Sequence, residues 1–392
     1  MRLAIVGGGP AGLVAALAAR RHGIDAVVFE QARDFGRVGG GIALQSNGLR
    51  VLDALGVLER LRRDMRPLRT MTIERVGVGP LVTLDVGALA IPHNYFGVLP
   101  RHALQEALLA AVTAGRVPVL FDRRCAGAEW EGGRVTLRFG AAAERGFDAV
   151  VAADGIHSAM RASAGLRAHE RAMGWAALRG VADGPPADDT VRELWGPDGR
   201  LFGIAPLPGA RTYFYCSAPI GRWQGMLEEG GVAAWIEGWR AYGSEVVALL
   251  RAVPDWQRVS YDEIREVKVR RWYRPPVFLV GDAAHAMTPN LGQGANSAMV
   301  DALVVVRLLA DAARDGLDLE WVGRRYQRIR RRFVTLVQTA SRWIGRVPAS
   351  RSRALRAVAD ALLRLQGRVP PLRRRAAMLG VGHNPREEPY LG

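Results

Sequence analysis

Residues 3–30 limit the fold of this chain more than any other stretch. The segment Leu3–Val6 is short and apolar, as expected of a buried strand, and the pattern G-x-G-x-x-G follows it at Gly7–Gly12. A helical apolar spacing comes next, and a second buried strand, Ala26–Phe29, ends on the acidic residue Glu30. Strand, glycine turn, helix, strand and acid in this order give the glycine pattern its specificity for dinucleotides. The sequence therefore predicts a doubly wound α/β domain that binds a dinucleotide.

The glycines of this pattern have separate physical tasks. Gly7 makes the tight turn after the strand, and Gly9 lets a pyrophosphate approach the N-terminus of the helix. Gly12 allows the helix to pack closely on the strand. Glu30 would accept hydrogen bonds from ribose hydroxyls, which favours an adenosine whose ribose carries no phosphate.

Residues 277–299 form a second strand–loop–helix unit. Val277–Val280 is apolar enough for a buried strand, Gly281-Asp282 ends it, and the loop Pro289–Gly294 leads into a periodic apolar helix. The free backbone N–H groups at such a helix start suit an anion or a developing negative charge. Taken alone, the unit is also typical of an ordinary connection in a large α/β domain.

Length and composition bound the class of protein. The 392 residues, 49% hydrophobic and 23% charged, are enough for two packed domains and argue against disorder. Cys125 and Cys216 are too few for a disulfide framework or a zinc site, so no metal is expected. Apolar runs are too short to span a bilayer, and the first strand leaves no room for a signal peptide. We expect a cytoplasmic protein.

The positive charge is concentrated near the C-terminus. The net charge is +16, and residues 324–375 contain sixteen arginines and one acidic residue, Asp360. One interpretation is a solvated, arginine-rich helical surface that packs on the nucleotide-binding domain. Nucleic acid or an anionic membrane surface are the alternative partners. We expect no nucleic acid and at most a weak membrane contact.

The middle and the end of the chain have different patterns. Residues 175–273 contain short alternating segments separated by Pro/Gly clusters, which predicts antiparallel strands with one exposed face. Two further strand-like segments lie within residues 70–97. After Leu319 the apolar residues keep a helical spacing, interrupted at Pro348 and Pro370, and the residues after Gly380 are expected to be irregular.

Three motifs now stand in one order: Gly7–Gly12 with Glu30, Ala153–Ser158 with Arg161, and Gly281–His285 with Pro289 and Gly292–Asn296. Together they resemble the single-component FAD-dependent aromatic hydroxylases of the para-hydroxybenzoate or salicylate hydroxylase type. The resemblance covers about the first 320 residues. It implies an α/β fold with a Rossmann-type FAD-binding domain, an interleaved antiparallel β-sheet substrate domain and C-terminal helices. The implied ranges are 1–69, 98–174 and 274–318 for FAD, 70–97 and 175–273 for substrate, and 319–392 for the basic helices.

The resemblance also implies which residues hold the cofactor. Those assigned to FAD are Gly7, Gly9, Ala11, Gly12, Glu30, Arg37, Arg101 and Asp282. Asp154 and Arg161 belong to a motif associated with both FAD and NAD(P)H, so either role is open for them. Asp154 could instead be a turn residue that caps the next helix, and Arg37 could be a solvated loop charge.

The start of the helix at Gly294 receives a chemical role from the same resemblance. Backbone N–H groups of Gly294, Ala295 and Asn296 would face the N1–C2=O edge of the flavin, where reduction places negative charge. Pro289 and Asn290 would flank C4a of the flavin. His285 would either contact the ring or simply satisfy the core.

The implied reaction is reduction of bound FAD by transiently bound NADH or NADPH. O2 then adds to give a C4a-hydroperoxyflavin, which hydroxylates a phenolic, heteroaromatic or polyketide-like small molecule. The alternatives are a membrane-surface hydroxylase or epoxidase of a lipophilic quinone or isoprenoid, and a non-enzymatic flavoprotein that binds anionic partners. The chain would act as a monomer or homodimer.

Substrate contacts are predicted on the central sheet, which should cover the flavin. Phe202 and Ile204 share one face by alternation, as do Tyr213 and Tyr215, with Arg179 on a neighbouring strand. A tyrosine or arginine there could orient or deprotonate a phenol. A purely structural role for the two tyrosines remains an alternative.

Overall fold

The computed structural model describes residues 1–36, 40–220, 231–346, 350 and 352–391. Its first layer is a six-stranded sheet. Across the sheet the order is β18 (Tyr273–Arg274), β19 (Val277–Leu279), β12 (Ala149–Ala152), β1 (Arg2–Val6), β2 (Asp25–Phe29) and β8 (Val119–Leu120). All neighbours are parallel except β18 and β19, and Ala4 lies between Val27 and Val150. This is the doubly wound sheet that the glycine pattern predicts.

The second large layer is a seven-stranded sheet. Its order is β17 (Ser260–Val269), β13 (Ala168–Asp183), β16 (Arg211–Pro219), β15 (Leu201–Leu207), β14 (Val191–Trp195), β5 (Thr70–Arg75) and β6 (Gly79–Asp85). Neighbours are antiparallel except β5 and β14, which are parallel and are separated by a long stretch of chain. β13 begins at Ala168, so the domain boundary predicted at residue 174 falls inside one strand.

Two smaller sheets connect these layers or extend them. One consists of β3 (Gly41–Leu44), β7 (Phe96–Pro100) and β4 (Arg66–Leu68). The other consists of β11 (Ala142–Phe147), β10 (Arg134–Phe139) and β9 (Gly127–Glu131).

The described helices are α1 (Pro10–Arg21), α2 (Ser46–Ala54), α3 (Arg101–Ala114), α4 (Ala159–Ser163), α5 (Gly231–Glu237), α6 (Ser244–Arg251), α7 (Asp282–His285), α8 (Gly294–Asp315), α9 (Leu319–Arg346), α10 (Arg353–Arg368) and α11 (Pro370–Gly380). Short 3₁₀ helices lie at Leu58–Leu61, Arg240–Tyr242, Trp256–Arg258, Pro289–Leu291 and Pro385–Tyr390. α1 packs on α3 and α8, and α9 packs on α8. Within the described ranges, none of the helices combines the length and the apolar character needed to span a bilayer.

The C-terminal end differs from its prediction. The residues after Gly380 were expected to be irregular, but Pro385–Tyr390 forms a 3₁₀ helix and Glu387 in it is completely buried. The reason is a buried ion pair between Glu387 and Arg330 of α9. Periodicity gives no sign of Glu387, because its partner lies far away in the sequence.

Candidate active site

The residues predicted to bind the dinucleotide lie at one edge of the six-stranded sheet. Parallel strands end at the same edge, so Gly7 follows β1, Glu30 follows β2, Asp154 follows β12 and Asp282 follows β19. Hydrogen bonds hold the edge together, from Gly7 N to the carbonyl of Phe29 at 2.8 Å and from Ala153 N to that of Val6 at 2.8 Å. Ligands of open α/β sheets bind in this position.

The glycines of the loop differ in how much space surrounds them. At two positions a side chain would clash with the protein, and at one it would not. A Cβ on Gly7, whose φ is +102°, would lie 2.3 Å from the carbonyl oxygen of Ala153. A Cβ on Gly12 would lie 1.8 Å from the carbonyl oxygen of Gly7. A Cβ on Gly9 would meet nothing within 4 Å. The protein leaves open space at Gly9, and that space fits a pyrophosphate at the start of α1. Ala11 is buried within α1.

Glu30 is almost fully buried beside this loop. Its carboxylate accepts hydrogen bonds from Gly8 N at 2.6 Å and Ala32 N at 2.8 Å, and each oxygen has capacity for one more. Gln105 of α3 donates to the carbonyl of Gly8 at 2.6 Å and lines an adjoining cleft of about 520 Å³ together with Phe35. Sequence reasoning missed Gln105, which shows only as one polar residue on a predicted helix.

Asp154 and Arg161 have different surroundings. Asp154 Oδ2 accepts from Met160 N at 3.0 Å, while its buried Oδ1 has no partner in the described part of the chain. Burial raises the pKa of the Asp154 carboxyl. Arg161 is buried and donates to the carbonyls of Ala283 and Ile156, both at 3.0 Å, and to Glu170 at 2.5 Å. The structure thus gives Arg161 a bracing role, and Asp154 an acceptor that a ligand hydroxyl could use.

Asp282 and Arg101 lie close to each other at the same edge. Asp282 is exposed, yet desolvation by the surrounding protein raises the pKa of its carboxyl. The positive charge of Arg101 is among the contributions that oppose that shift. Burial also raises the pKa of Tyr213, against the charges of Arg179 and Arg101. The backbone N–H of Arg101 donates to the carbonyl of Gly40 at 3.0 Å, and Gly40 lies against Arg179 of the central sheet, so α3 begins close to that sheet.

The start of α8 is open at its first residue and anchored at its third. A Cβ on Gly294 would meet nothing within 4 Å, so a flat ligand has room against the first amides of the helix. Asn296 is fully buried. Its amide donates to the carbonyls of Ala43 and Gly292 at 3.1 and 2.9 Å, and its oxygen accepts from Gln45 N at 3.0 Å. Asn296 thus holds the loop before α8 against β3.

A buried amide cluster, which sequence reasoning missed, continues from this anchor. Gln45 donates to the carbonyl of Leu291 at 2.8 Å, and Asn47 donates to Gln293 at 2.9 Å. Gln293 donates to Gln45 and, at 3.1 Å, to the carbonyl of Gly380 at the end of α11. The run Gln45–Asn47 was visible in the sequence, but only as a helix-start signal.

The side chain of Asn290 is held by α9. Its amide donates to the backbone carbonyl of Ser341 in α9 at 3.0 Å, and a Cβ on Gly345 would lie 2.3 Å from the same amide nitrogen. Pro289 begins the 3₁₀ turn that carries Asn290. These contacts hold the Asn290 side chain against α9, and the position of Pro289 and Asn290 beside C4a of the flavin stays a prediction.

His285 belongs to the core. Its ring lies 4.7 Å from that of Trp272, and its Nε2 lies 2.5 Å from Oδ2 of Asp301, which also accepts from Gly281 N at 3.1 Å. Arg330 Nε donates to the other oxygen of Asp301 at 2.6 Å. Of the two roles that the sequence left open, this geometry supports the structural one over contact with the ring.

The central sheet presents its two faces to different neighbours. Phe202 and Ile204 are fully buried in a cluster with the helical layer, and the Phe202 ring lies 5.2 Å from that of Trp239. Their cross-strand partners are Cys216 and Phe214. The prediction that Phe202 and Ile204 line the substrate pocket does not hold, because alternation defines two faces without showing which one meets the cofactor domain.

The opposite face meets the cofactor domain. Glycines bring the two into contact, since a Cβ on Gly40 would lie 2.7 Å from Cβ of Arg179 and one on Gly41 would lie 2.5 Å from the ring of Tyr213. The structure thus brings Arg179 and Tyr213 to the loop that precedes β3, and Tyr215 shares their face. Arg37 lies outside the described residues.

Tyr215 leads to a buried carboxyl group that the sequence did not reveal. The Tyr215 hydroxyl donates to Glu193 of β14 at 3.1 Å, and the indole of Trp195 donates to the other oxygen at 2.6 Å. Burial raises the pKa of Glu193 despite these two donors, and burial also raises the pKa of Tyr215. Only the alternation of β14 could have placed Glu193 on the same face as Tyr215.

Comparison with known proteins identifies the family. Residues 1–341 match the family described as FAD binding domain. The chain therefore belongs to this FAD-binding family. It is 34% identical to the 3-amino-4-hydroxybenzoate 2-monooxygenase of Streptomyces platensis, over 87% of each chain. It is 31% identical to the aurachin C monooxygenase/isomerase of Stigmatella aurantiaca, over 83% of this chain and 84% of that one.

Solved structures show the same fold. The structure of Klebsiella pneumoniae HpxO with FAD and uric acid aligns with a TM-score of 0.82 at 24% identity, over 97% of each chain. The chain is thus an FAD-dependent aromatic monooxygenase, and NADH or NADPH is the reductant typical of its family. This removes the non-enzymatic alternative. The open space at Gly9 and Gly294 and the free oxygen of Asp154 are consistent with FAD at this edge.

Proposed function

We propose that this monooxygenase hydroxylates a neutral, largely apolar aromatic ring, of which a quinolone is the best example, rather than an aromatic carboxylate. The names of its relatives include both kinds of substrate. One is the aminohydroxybenzoate monooxygenase already described, and another is a 2-heptyl-3-hydroxy-4(1H)-quinolone synthase of Pseudomonas aeruginosa, 32% identical over 80% of this chain and 82% of that one. We choose between them from the face of the central sheet that carries Arg179, Tyr213 and Tyr215.

The observation that carries this proposal is the pairing of Arg179. Its guanidinium donates to Asp262 at 2.7 Å, so its charge is already compensated, while Arg101, the other cation that acts on Tyr213, is assigned to FAD. The hydrophobic side chains that lie partly open on the same face include Met71, Val181 and Tyr215. A buried substrate carboxylate needs an unpaired cation with matching hydrogen bonds, whereas a neutral ring needs apolar surface and a few polar contacts.

The proposal assigns roles to the chain's own residues. The space at Gly9 receives the pyrophosphate, Glu30 and Asp282 accept from sugar and ribityl hydroxyls, and the amides at Gly294–Asn296 stabilise negative charge at the flavin edge. Tyr213 orients the substrate from the opposite side. When bound, FAD would accept hydride from NADH or NADPH and activate O2. Since the reaction consumes those reductants, we place it in the cytoplasm.

The first test measures substrate preference in the purified FAD-loaded protein. Oxidation of NADH and NADPH is followed with a neutral hydroxyquinolone and with an aminohydroxybenzoate, and product is quantified to exclude uncoupled turnover. We expect kcat/KM to be at least about tenfold higher for the neutral ring. Burying a substrate carboxylate without a cation costs more free energy than a tenfold difference represents. A preference for the carboxylate would refute the proposal.

The second test removes the ion-pair partner of Arg179. Asp262 is more than half exposed, so Asp262→Asn should fold normally while leaving Arg179 without its partner. We expect kcat/KM for the aminohydroxybenzoate to rise about tenfold or more and that for the neutral ring to stay nearly constant. Glu263→Gln on the same strand is the matched control, because Glu263 pairs with Arg265 instead. Equal effects of both variants would show that the pairing of Arg179 does not set the preference.

A further inference from the structure

Helix α10 is attached to the protein by one face. Asp360 accepts two hydrogen bonds from Arg75 of β5, at 3.0 and 2.5 Å, and both side chains are largely buried. Leu363 packs into the apolar cluster that contains Val82 and Trp195. A Cβ on Gly367 would lie 3.4 Å from Val82, so the helix lies close to β6 along this face. This face accounts for the folding of α10 onto the edge of the seven-stranded sheet.

The other face of α10 is apolar and open to solvent. Its large side chains are 51–60% exposed and are spaced three and four residues apart: Leu355, Val358, Leu362 and Leu365. We call these four residues the α10 stripe. Leu372, near the start of α11, is also exposed, at 45%. Scattered exposed leucines are ordinary on protein surfaces, but a contiguous row on one helix face marks an interaction site.

The stripe lies in a strongly positive part of the chain. Residues 352–380 contain seven arginines and one acidic residue. The arginines are Arg353, Arg356, Arg364, Arg368, Arg373, Arg374 and Arg375, and none of them forms an ion pair with a residue in the described ranges. The acidic residue is Asp360, whose charge Arg75 compensates. The charge around the stripe is therefore available to an anionic partner.

We propose that the α10 stripe docks on an anionic lipid bilayer, with the helix lying in the plane of the interface. Helices with an apolar face and an arginine-rich remainder bind such surfaces through apolar burial and attraction to lipid headgroups. A second copy of the chain is a poorer match, because docking stripe to stripe would bring two arginine clusters together. Nucleic acid would use the arginines but would leave the leucines exposed to water.

The docked helix is connected to the cofactor edge. α11 follows α10 after Val369, and its last residue, Gly380, accepts from Gln293 just before α8. Docking would thus place the site near the bilayer, where apolar aromatic molecules concentrate. The proposal itself rests on the stripe and its charge, and it stands independently of the substrate preference.

Vesicle co-sedimentation of the full-length, FAD-loaded protein tests the proposal at two salt concentrations. Vesicles of phosphatidylcholine alone are compared with vesicles in which phosphatidylglycerol replaces a third of the lipid. We expect binding to the anionic vesicles that weakens with salt, and little binding to the neutral ones. Absence of binding to anionic vesicles at low salt would overturn the proposal.

Two variants separate the contributions of stripe and charge. Replacing all four stripe residues by Gln should weaken binding at least about tenfold, since each apolar side chain stops contributing to burial. Replacing Arg373, Arg374 and Arg375 by Gln should weaken it roughly fivefold per arginine at low salt. The matched control is Arg63→Gln, Arg123→Gln and Arg124→Gln, which makes the same charge change at exposed positions away from α10. Unchanged binding in the stripe variant, or equal loss in the control, would overturn the assignment.

Light scattering and DNA binding test the competing occupants. A dimer of the parent protein that the stripe variant converts to monomer would assign the stripe to a second copy and overturn the lipid proposal. Binding to duplex DNA that is tighter than binding to anionic vesicles and insensitive to the stripe variant would do the same. All altered side chains are exposed, so each variant should fold normally. The flavin spectrum and the thermal midpoint of each variant check this.

Discussion

The sharpest test of the cofactor site compares two glycines of one loop. Gly9→Ala adds a methyl group where the structure has open space, and Gly12→Ala adds one 1.8 Å from the carbonyl oxygen of Gly7. Gly9 has φ −67° and ψ −179°, a conformation that alanine adopts freely. The first substitution should therefore affect only the binding of a ligand, and the second should affect the stability of the protein itself.

The two effects differ in size and in kind. Removal of the N-cap glycine and the gain in chain stiffness nearly cancel, so Gly9→Ala should change the unfolding free energy of the FAD-free protein by less than about 1 kcal/mol. A methyl group forced against a pyrophosphate costs about 1–3 kcal/mol, which weakens FAD binding by roughly 5- to 150-fold. Gly12→Ala should lower the unfolding free energy itself by about 3 kcal/mol or more, because backbone must move.

Urea unfolding of the FAD-free protein, followed by tryptophan fluorescence, measures the first quantity, and titration with FAD measures the second. Gly380→Ala is the matched control, since a Cβ there also meets nothing within 4 Å but lies at the end of α11. If Gly9→Ala binds FAD as tightly as the parent, the pyrophosphate does not lie at Gly9. If Gly9→Ala unfolds as readily as Gly12→Ala, the space at Gly9 is needed by the protein, and the reasoning fails.

Two further substitutions test buried charges. Arg330→Met leaves Asp301 and Glu387 buried without their cation and should lower the unfolding free energy by about 3–5 kcal/mol, while Arg331→Met on the exposed side should change it little; equal effects in urea unfolding would contradict this. Glu193 has a raised pKa when folded, so its contribution makes stability fall as pH rises from its unfolded pKa to its folded one. Glu193→Gln removes this fall, and its urea midpoint should gain on that of the parent as pH rises above about 4; a constant difference would show that Glu193 does not titrate in this way.

The cofactor edge could be predicted because its signals are local. Gly7, Glu30, Asp154 and Asp282 each follow a short apolar strand, and parallel strands bring their carboxyl ends to one edge. The glycine pattern adds the conformational requirement at Gly7, whose φ is +102°. Each inference needed only a few neighbouring residues.

The choice of sheet face could not be predicted, because it depends on how two layers pack. Alternation put Phe202 and Ile204 on one face and Tyr213 and Tyr215 on another, but both faces are lined by apolar side chains. The contacts of Gly40 and Gly41 with Arg179 and Tyr213 decide the matter, and they join residues far apart in the sequence. Long-range hydrogen bonds of side chains could not be predicted for the same reason, as with the bond from Asn290 to the backbone of Ser341.

One buried charge did leave a signal. Arg330 belongs to a run of three arginines, of which Arg331 and Arg332 are exposed and Arg330 is completely buried. It follows Tyr326 and precedes Val334 at helical spacing, on the apolar face of α9. A charge on such a face requires a buried partner, and Asp301 and Glu387 are those partners.

Hydrogen bonds from α9 support the start of α8, so the C-terminal region is more than the added basic surface that its composition indicates. Ser341 of α9 bonds to both ends of the turn that precedes α8, through Thr288 O at 2.6 Å and Leu291 N at 3.3 Å. Arg330 donates to the carbonyl of Ser297 within the first turn of α8 at 3.1 Å. Since the amides that would face the flavin begin α8, their orientation depends on α9, and substitutions in the C-terminal region should alter flavin binding even where no side chain reaches the cofactor.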